Sequence, residues 1–197
     1  MTNGSTVLAE DPGVDLAIAE AMVAELEEYI IKEELYRTLI VRTSAGDQNV
    51  RMTGGDLLAR LHRLQGETDR LSTEETRRLE EAQRKADTII YSLRTRFHQR
   101  LQREMKARLD SLRWFLDDCR EDKQRCRAEF PYEMRNRQRI EEILKRLGKD
   151  LPEDLKEGLR QVDKRLRESA TVVGFTWDKR VEHIYPQDVY WYLYMLP

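Results

Sequence analysis

Cysteine and histidine are both scarce in this chain, with two cysteines and three histidines among 197 residues. Two cysteines cannot build the disulfide framework of a small secreted scaffold. A zinc site around them would need two further ligands, and neither a CxxC pair nor a nearby histidine supplies them. None of His62, His98 and His183 stands three residues after a carboxylate, so the Glu-x-x-His pattern of di-iron bundles is missing. HExxH, Walker A, GxGxxG and GxSxG motifs are absent as well. The paired carboxylates Glu27 with Glu28 and Glu33 with Glu34 read as a solvated acidic face, because magnesium chemistry needs acids converging from several elements. No catalytic residue, cofactor or metal ligand is therefore expected, and the chain is not expected to be an enzyme.

Long apolar runs are also missing. No stretch approaches the roughly 18 residues of a membrane span. Met1 to Gly13 lacks the basic and apolar regions of a secretory signal. These absences point to a cytoplasmic protein with no membrane partner.

Glycine and proline are unevenly used: 64 consecutive residues between Gly66 and Pro131 contain neither. Ser72 or Thr73 followed by Glu75 offers an N-terminal cap. The economical expectation is one helix over 73–129, about 85 Å long at 1.5 Å per residue. Its apolar stripe runs from Leu79 through Ala86, Leu93, Leu101, Leu109 and Leu116 to Phe130. The steps of 3 and 4 resemble a coiled-coil seam, with four successive steps of 4 from Leu93 to Leu109 acting as a stutter.

Charge is what the chain has in abundance. Charged residues make up 37% and hydrophobic ones 40%, a ratio suited to helices with one buried stripe each. The net charge of −2 is segregated, with −7 over residues 1–56, +6 over 57–146 and −1 over 147–197. Of the 35 basic residues, 26 are arginine, whose forked donors suit phosphate and carboxylate alike.

Around the long helix the reading is simple. Residues 1–13 form a disordered leader. Apolar spacing from Ala19 to Ile40 gives a first helix over 14–42, whose wide apolar surface wants more than one neighbour. A turn-rich loop over 44–55 leads to a short helix over 56–66 opened by Asp56. Pro131 opens a helix over 131–148, and Asp150 with Pro152 introduces another over 152–169. Residues 14–170 thus form a helical bundle, and 171–197 a small aromatic appendage, either a hairpin or a terminal helical turn. The fold class is all-α: an elongated helical bundle, coiled-coil-like, around one long central helix.

Four sets of residues invite a functional reading. Cys119 and Cys126, seven apart on a continuous helix, would lie about 10 Å apart, too far for a disulfide between them. They are expected to be small core residues, or to pair between chains of a parallel dimer. Arg96, Arg100 and Arg103, with Lys106, form a basic stripe that would hold phosphates, or an acidic partner, unless the acidic first helix neutralises it. Trp114 stands off the main seam and is expected in a second covered face, with a partner anchor as the alternative. Tyr190, Trp191, Tyr192 and Tyr194 belong to a cluster of five aromatics in ten residues. Its first reading is burial against the chain's own helices, and its second is docking on a partner or stacking of bases.

The function expected from these features is a structural or adaptor subunit, a scaffold that assembles through the exposed length of the long helix and the aromatic tail with a protein partner or with itself, most simply as a homodimer. The alternative is a nucleic-acid-binding accessory protein using the basic stripe.

Overall fold

The computed structural model describes residues 10–197; the expected leader falls mostly on residues 1–9, outside the described part. The fold is largely helical, with two small two-stranded antiparallel sheets. Its elements are α1 (Pro12–Ile31), β1 (Arg37–Thr43), β2 (Gly46–Met52), α2 (Gly54–Gly66), α3 (Thr73–Ser92), α4 (Arg94–Asp118), α5 (Lys123–Leu147), α6 (Glu153–Ser169), β3 (Thr171–Val172) and β4 (Met195–Leu196). The chain divides into two compact units, one containing Glu10–Glu104 and the other Met105–Pro197, and the division falls inside α4.

In the first unit α1 is the central element. The Asp11 carboxylate accepts hydrogen bonds from the Gly13 and Val14 amides, and Pro12 fits the first turn, where its missing N–H costs nothing. Leu16, Ile18, Met22, Val23, Leu26 and Ile30 are all buried, on more than one face, so α1 packs against α2, α3 and β1 together. The wide apolar surface read from the sequence is used in this way.

The expectation of a helix to residue 42 is corrected. α1 stops at Ile31, and Glu33 adopts φ 56°, the left-handed conformation common just beyond helix ends. The following Thr38-Leu39-Ile40-Val41 run is β-branched and pairs in register with β2, Ile40 opposite Asn49 and Thr43 opposite Gly46. Gly46, at φ 99°, supplies the tight turn. The segment expected as a loop over 44–55 is therefore the second strand of a hairpin and the cap of α2. That cap is Thr53 rather than Asp56, its side chain accepting from the Asp56 amide.

The single long helix is also corrected. It is three helices, with a break at Leu93 (φ −114°, ψ 27°) and a reversal over residues 119–122. The Ser72 cap holds as expected, in a reciprocal box: Ser72 Oγ accepts from the Glu75 amide and the Glu75 carboxylate from the Ser72 amide. At the second break Asp117 and Asp118 end α4, where acidic side chains oppose the helix dipole, and Asp122 caps α5 by accepting from the Arg125 amide at 2.9 Å. Pro131 lies inside α5 instead of opening a helix. Buried Cys126 and Phe130 before it and Met134 after it keep the two halves on one packed face, and that packing outweighs the local helix penalty of proline.

The reversal changes the cysteines' relationship. Cys119 and Cys126 form an intrachain disulfide with a Cα–Cα distance of 4.9 Å. The expected separation held only for an unbroken helix, and the expectation of two unbridged core cysteines is overturned with it.

In the second unit α6 approaches α4 at Gly158, where a Cβ would lie 2.8 Å from Arg113 Nη2 and 3.4 Å from a Leu109 methyl. The C-terminal segment combines both forms considered for it. β3 and β4 pair over two residues each, and 3₁₀ turns over Lys179–Ile184 and Trp191–Tyr194 lie between them.

Candidate interaction surfaces

The arginines of α4 have different roles from one another. Arg100 is buried, and its guanidinium donates to the Glu34 carbonyl at 2.7 Å and the Ile30 carbonyl at 3.4 Å. It thereby satisfies backbone acceptors where α1 ends, groups that a helix terminus leaves without intrahelical donors. Burial lowers its pKa, and the nearby Tyr29 ring lies 5.8 Å below the guanidinium. Arg96 and Arg103 are exposed and form no ion pair among the described residues, and Lys106, assigned to the other unit, is likewise exposed. The stripe is thus split between a structural arginine and solvated ones.

Glu104, the lone acid of that stretch, is buried. Its carboxylate accepts from Thr53 Oγ at 2.7 Å and from the Gly55 amide at 2.8 Å, closing the N-terminus of α2 from the side of α4. Gly54 is needed there, because a Cβ would meet Leu101 at 2.8 Å and Phe97 at 3.0 Å. Four of the five acids of α1 pair with basic residues outside α4. Asp15, fully buried, pairs with Arg60 and Arg63 of α2, Glu20 with Arg78 of α3, and Glu25 and Glu28 with Arg37 of β1.

The aromatic C-terminus is mostly interior. Tyr190, Tyr192 and Tyr194 are buried, and Trp191 keeps part of its ring in solvent beneath the Arg167 guanidinium at 3.7 Å. Tyr190 Oη donates to Glu142 Oε1 at 2.6 Å and accepts from Lys145 Nζ at 2.5 Å. Burial, and then the Glu142 charge, hold the Tyr190 hydroxyl protonated far above its ordinary range. Beside it Arg137 donates twice to Asp163, at 2.7 and 3.0 Å, and once to Glu141 at 2.9 Å, with its guanidinium 4.7 Å from the Tyr192 ring centre. Trp177 Nε1 donates to the Pro131 carbonyl at 2.7 Å, so the proline inside α5 also receives the appendage. Burial against the chain's own helix is the arrangement found for the three tyrosines.

Trp114 goes the other way. It is 69% exposed on α4, so the expected second covered face does not include it. Sequence reasoning also missed a group in the first unit. Ile31, Leu35, Tyr36 and Ile40 are exposed, Ile40 at 80%. Strand alternation puts Tyr36, Thr38, Ile40 and Arg42 on one side and the buried Val41 on the other. Across the sheet Arg51 stacks on the Tyr36 ring at 3.7 Å. No third strand joins this sheet among the described residues. Alternation of TLIV with NVRM around Gly46 carried the signal, but the same Tyr36 and Ile40 also fit a helical stripe.

No group of three or more histidine, cysteine or acidic side chains able to hold a metal occurs among the described residues. Among the described residues no helix is long and apolar enough to cross a membrane. Comparison with protein-family models, with curated proteins and with solved structures finds no significant match.

Proposed function

We propose that the protein is a binding subunit that assembles with other protein chains, acting through this assembly by association. The observation that carries this reading is the outward row of the β1–β2 hairpin, where Tyr36 and Ile40 stand in solvent on a two-stranded sheet. An isolated hairpin gains little from displaying a β-branched apolar side chain, whereas a partner that covers the row removes that area from water. Trp114, in the other unit, is a second anchor of the residue type that dominates binding energy at interfaces. Trp191 is a minor contributor, and the buried tyrosines serve to hold their own unit together. A second copy of the chain is one partner considered, giving a homodimer.

The test is the mass of the native assembly, isolated through a tag and weighed as wild type, Ile40→Asp and Trp114→Asp. The expected result is an assembly larger than one chain that is lost in Ile40→Asp and weakened in Trp114→Asp, with unchanged helical circular dichroism. A wild-type protein that runs as a single chain with no partner overturns the reading.

A narrower reading keeps Arg96 and Arg103 as phosphate contacts, supported by their exposure and lack of ion pairs. Binding of labelled nucleic acid that falls steeply between about 50 and 200 mM salt would favour it over protein assembly.

A further inference from the structure

The corner between α4 and α5 holds a cleft of about 780 Å³ that opens on the Cys119–Cys126 disulfide. This volume lies within the range of about 300–1,000 Å³ typical of small-ligand sites. Four cations line it, Arg120, Lys123, Arg127 and Arg165, together with the Glu168 carboxylate and Pro197. Arg165 is engaged with Asp117 at 2.7 Å and Arg127 donates to the Pro197 carbonyl at 2.5 Å. Arg120 and Lys123 are exposed and have no ion-pair partner among the described residues. Cys126 is buried at 4% exposure, whereas Cys119 is only partly covered. Both cysteines line the cleft, and Cys119 is the more exposed of the two.

The disulfide closes a loop of seven residue steps, which stabilises the fold somewhat less than a longer loop would. Beyond that stabilisation, the pair faces a cationic cleft. We propose that Cys119 and Cys126 form a thiol–disulfide exchange site for a small anionic peptide thiol carrying carboxylates, which Arg120 and Lys123 attract and orient.

In the exchange, the thiolate of the small molecule attacks Cys119 Sγ. A new S–S bond forms there as the Cys119–Cys126 bond breaks, and the electron pair leaves on Cys126 Sγ, which takes a proton from water. The product is a mixed disulfide at Cys119 and a free thiol at Cys126. No net oxidation occurs, and attack by the Cys126 thiolate on the mixed disulfide reverses the step. The nearby cations favour the departing thiolate, since a leaving thiol of lower pKa leaves faster.

The experiment uses the oxidised full chain and glutathione, with 2-mercaptoethanol as a neutral thiol and cysteamine as a cationic one. Rates are taken per thiolate from acid-quenched intact mass, and the adduct is mapped by peptide digestion. Expected are an adduct on Cys119 and a rate with glutathione about fivefold above the neutral thiol at low salt, the equivalent of roughly 1 kcal/mol of attraction at the protein surface. The preference should vanish at about 1 M salt, where screening acts within about 3 Å. In Arg120→Glu with Lys123→Glu, both exposed positions, the preference for glutathione over the neutral thiol should also vanish. An adduct on Cys126, equal rates for the three thiols, or a purified oxidised protein with two free thiols would each overturn the proposal.

Discussion

Each unit buries an arginine, and the two are satisfied in opposite ways. Arg100, in the unit of residues 10–104, is held by backbone carbonyls at the end of α1. Arg137, in the unit of residues 105–197, is held by two carboxylates, Asp163 and Glu141, and lies against the Tyr192 ring. The consequence appears in their acidity. Desolvation lowers the pKa of Arg100, whereas for Arg137 the carboxylate partners outweigh burial and raise it. Neutral acceptors complete a helix terminus, while charged ones join α5 to α6 and to the appendage. An arginine-rich surface therefore says little about recognition until the acceptors of each guanidinium are known.

The largest way to break this contrast is Arg137→Met. It leaves Asp163 and Glu141 without their buried cation, and because both carboxylates keep some solvent contact the expected loss is about 3 kcal/mol, the low end for orphaning a buried pair. Urea denaturation should show the loss, and adding Asp163→Leu should recover most of it. Failure of the double variant to recover would mean that Arg137 acts by packing alone. Arg100→Met should cost less, about 2 kcal/mol, the penalty of leaving buried acceptors unmet, and no acidic-to-apolar second change should rescue it.

The smallest effect concerns Glu133, one turn before Arg137 on α5. Burial raises its carboxyl pKa, opposed by a hydrogen bond from Asn136 and reinforced by Glu129. A raised carboxyl pKa favours the fold at low pH and loses that advantage as pH rises through the folded value. The ionised group thus destabilises the protein at neutral pH. Glu133→Gln should raise the unfolding midpoint at pH 7 slightly, with the gain disappearing below about pH 4, near the unfolded value. A variant equal to wild type at pH 7 would contradict the burial cause.

Much of the helical plan was legible because caps and apolar spacing are local. The Ser72–Glu75 box, the stop at Gly148 and the helix after Pro152 needed no tertiary information. The hairpin was not, because the spacing of four from Tyr36 to Ile40 satisfies a helical repeat and a strand's alternation equally, and only packing on α1 decides. The reversal at residues 119–122 has no glycine or proline, and its signal was the acidic run Asp117, Asp118, Glu121 and Asp122, unfavourable at a helix end and favourable as a cap. With that break unseen, the disulfide was out of reach. The cytoplasmic expectation rested on the scarcity of cysteine and on the absence of a secretory signal and of a membrane span, and the intrachain disulfide is a feature more usual of oxidising compartments.

Among the sites, the aromatic cluster was found; burial was its first reading, and the docking role also given to it is closed to Tyr190, Tyr192 and Tyr194, which are interior. Trp114 was found, and its exposure was not, because a tryptophan beside Phe115 reads as core from spacing alone. Arg100 differs from Arg96 only in which carbonyls fold against it, a fact held by α1 and absent from α4's own sequence.

The most direct test of the proposed function places a photo-cross-linking amino acid at position 40 in the full chain, expressed in its source cells, with Glu80 replaced in the same way as an exposed control. The account predicts one discrete cross-linked protein species at position 40 and none at position 80. Equal, weak labelling at both positions would mean that the hairpin row meets only solvent, and the proposal that this protein works as a binding subunit through it would fall.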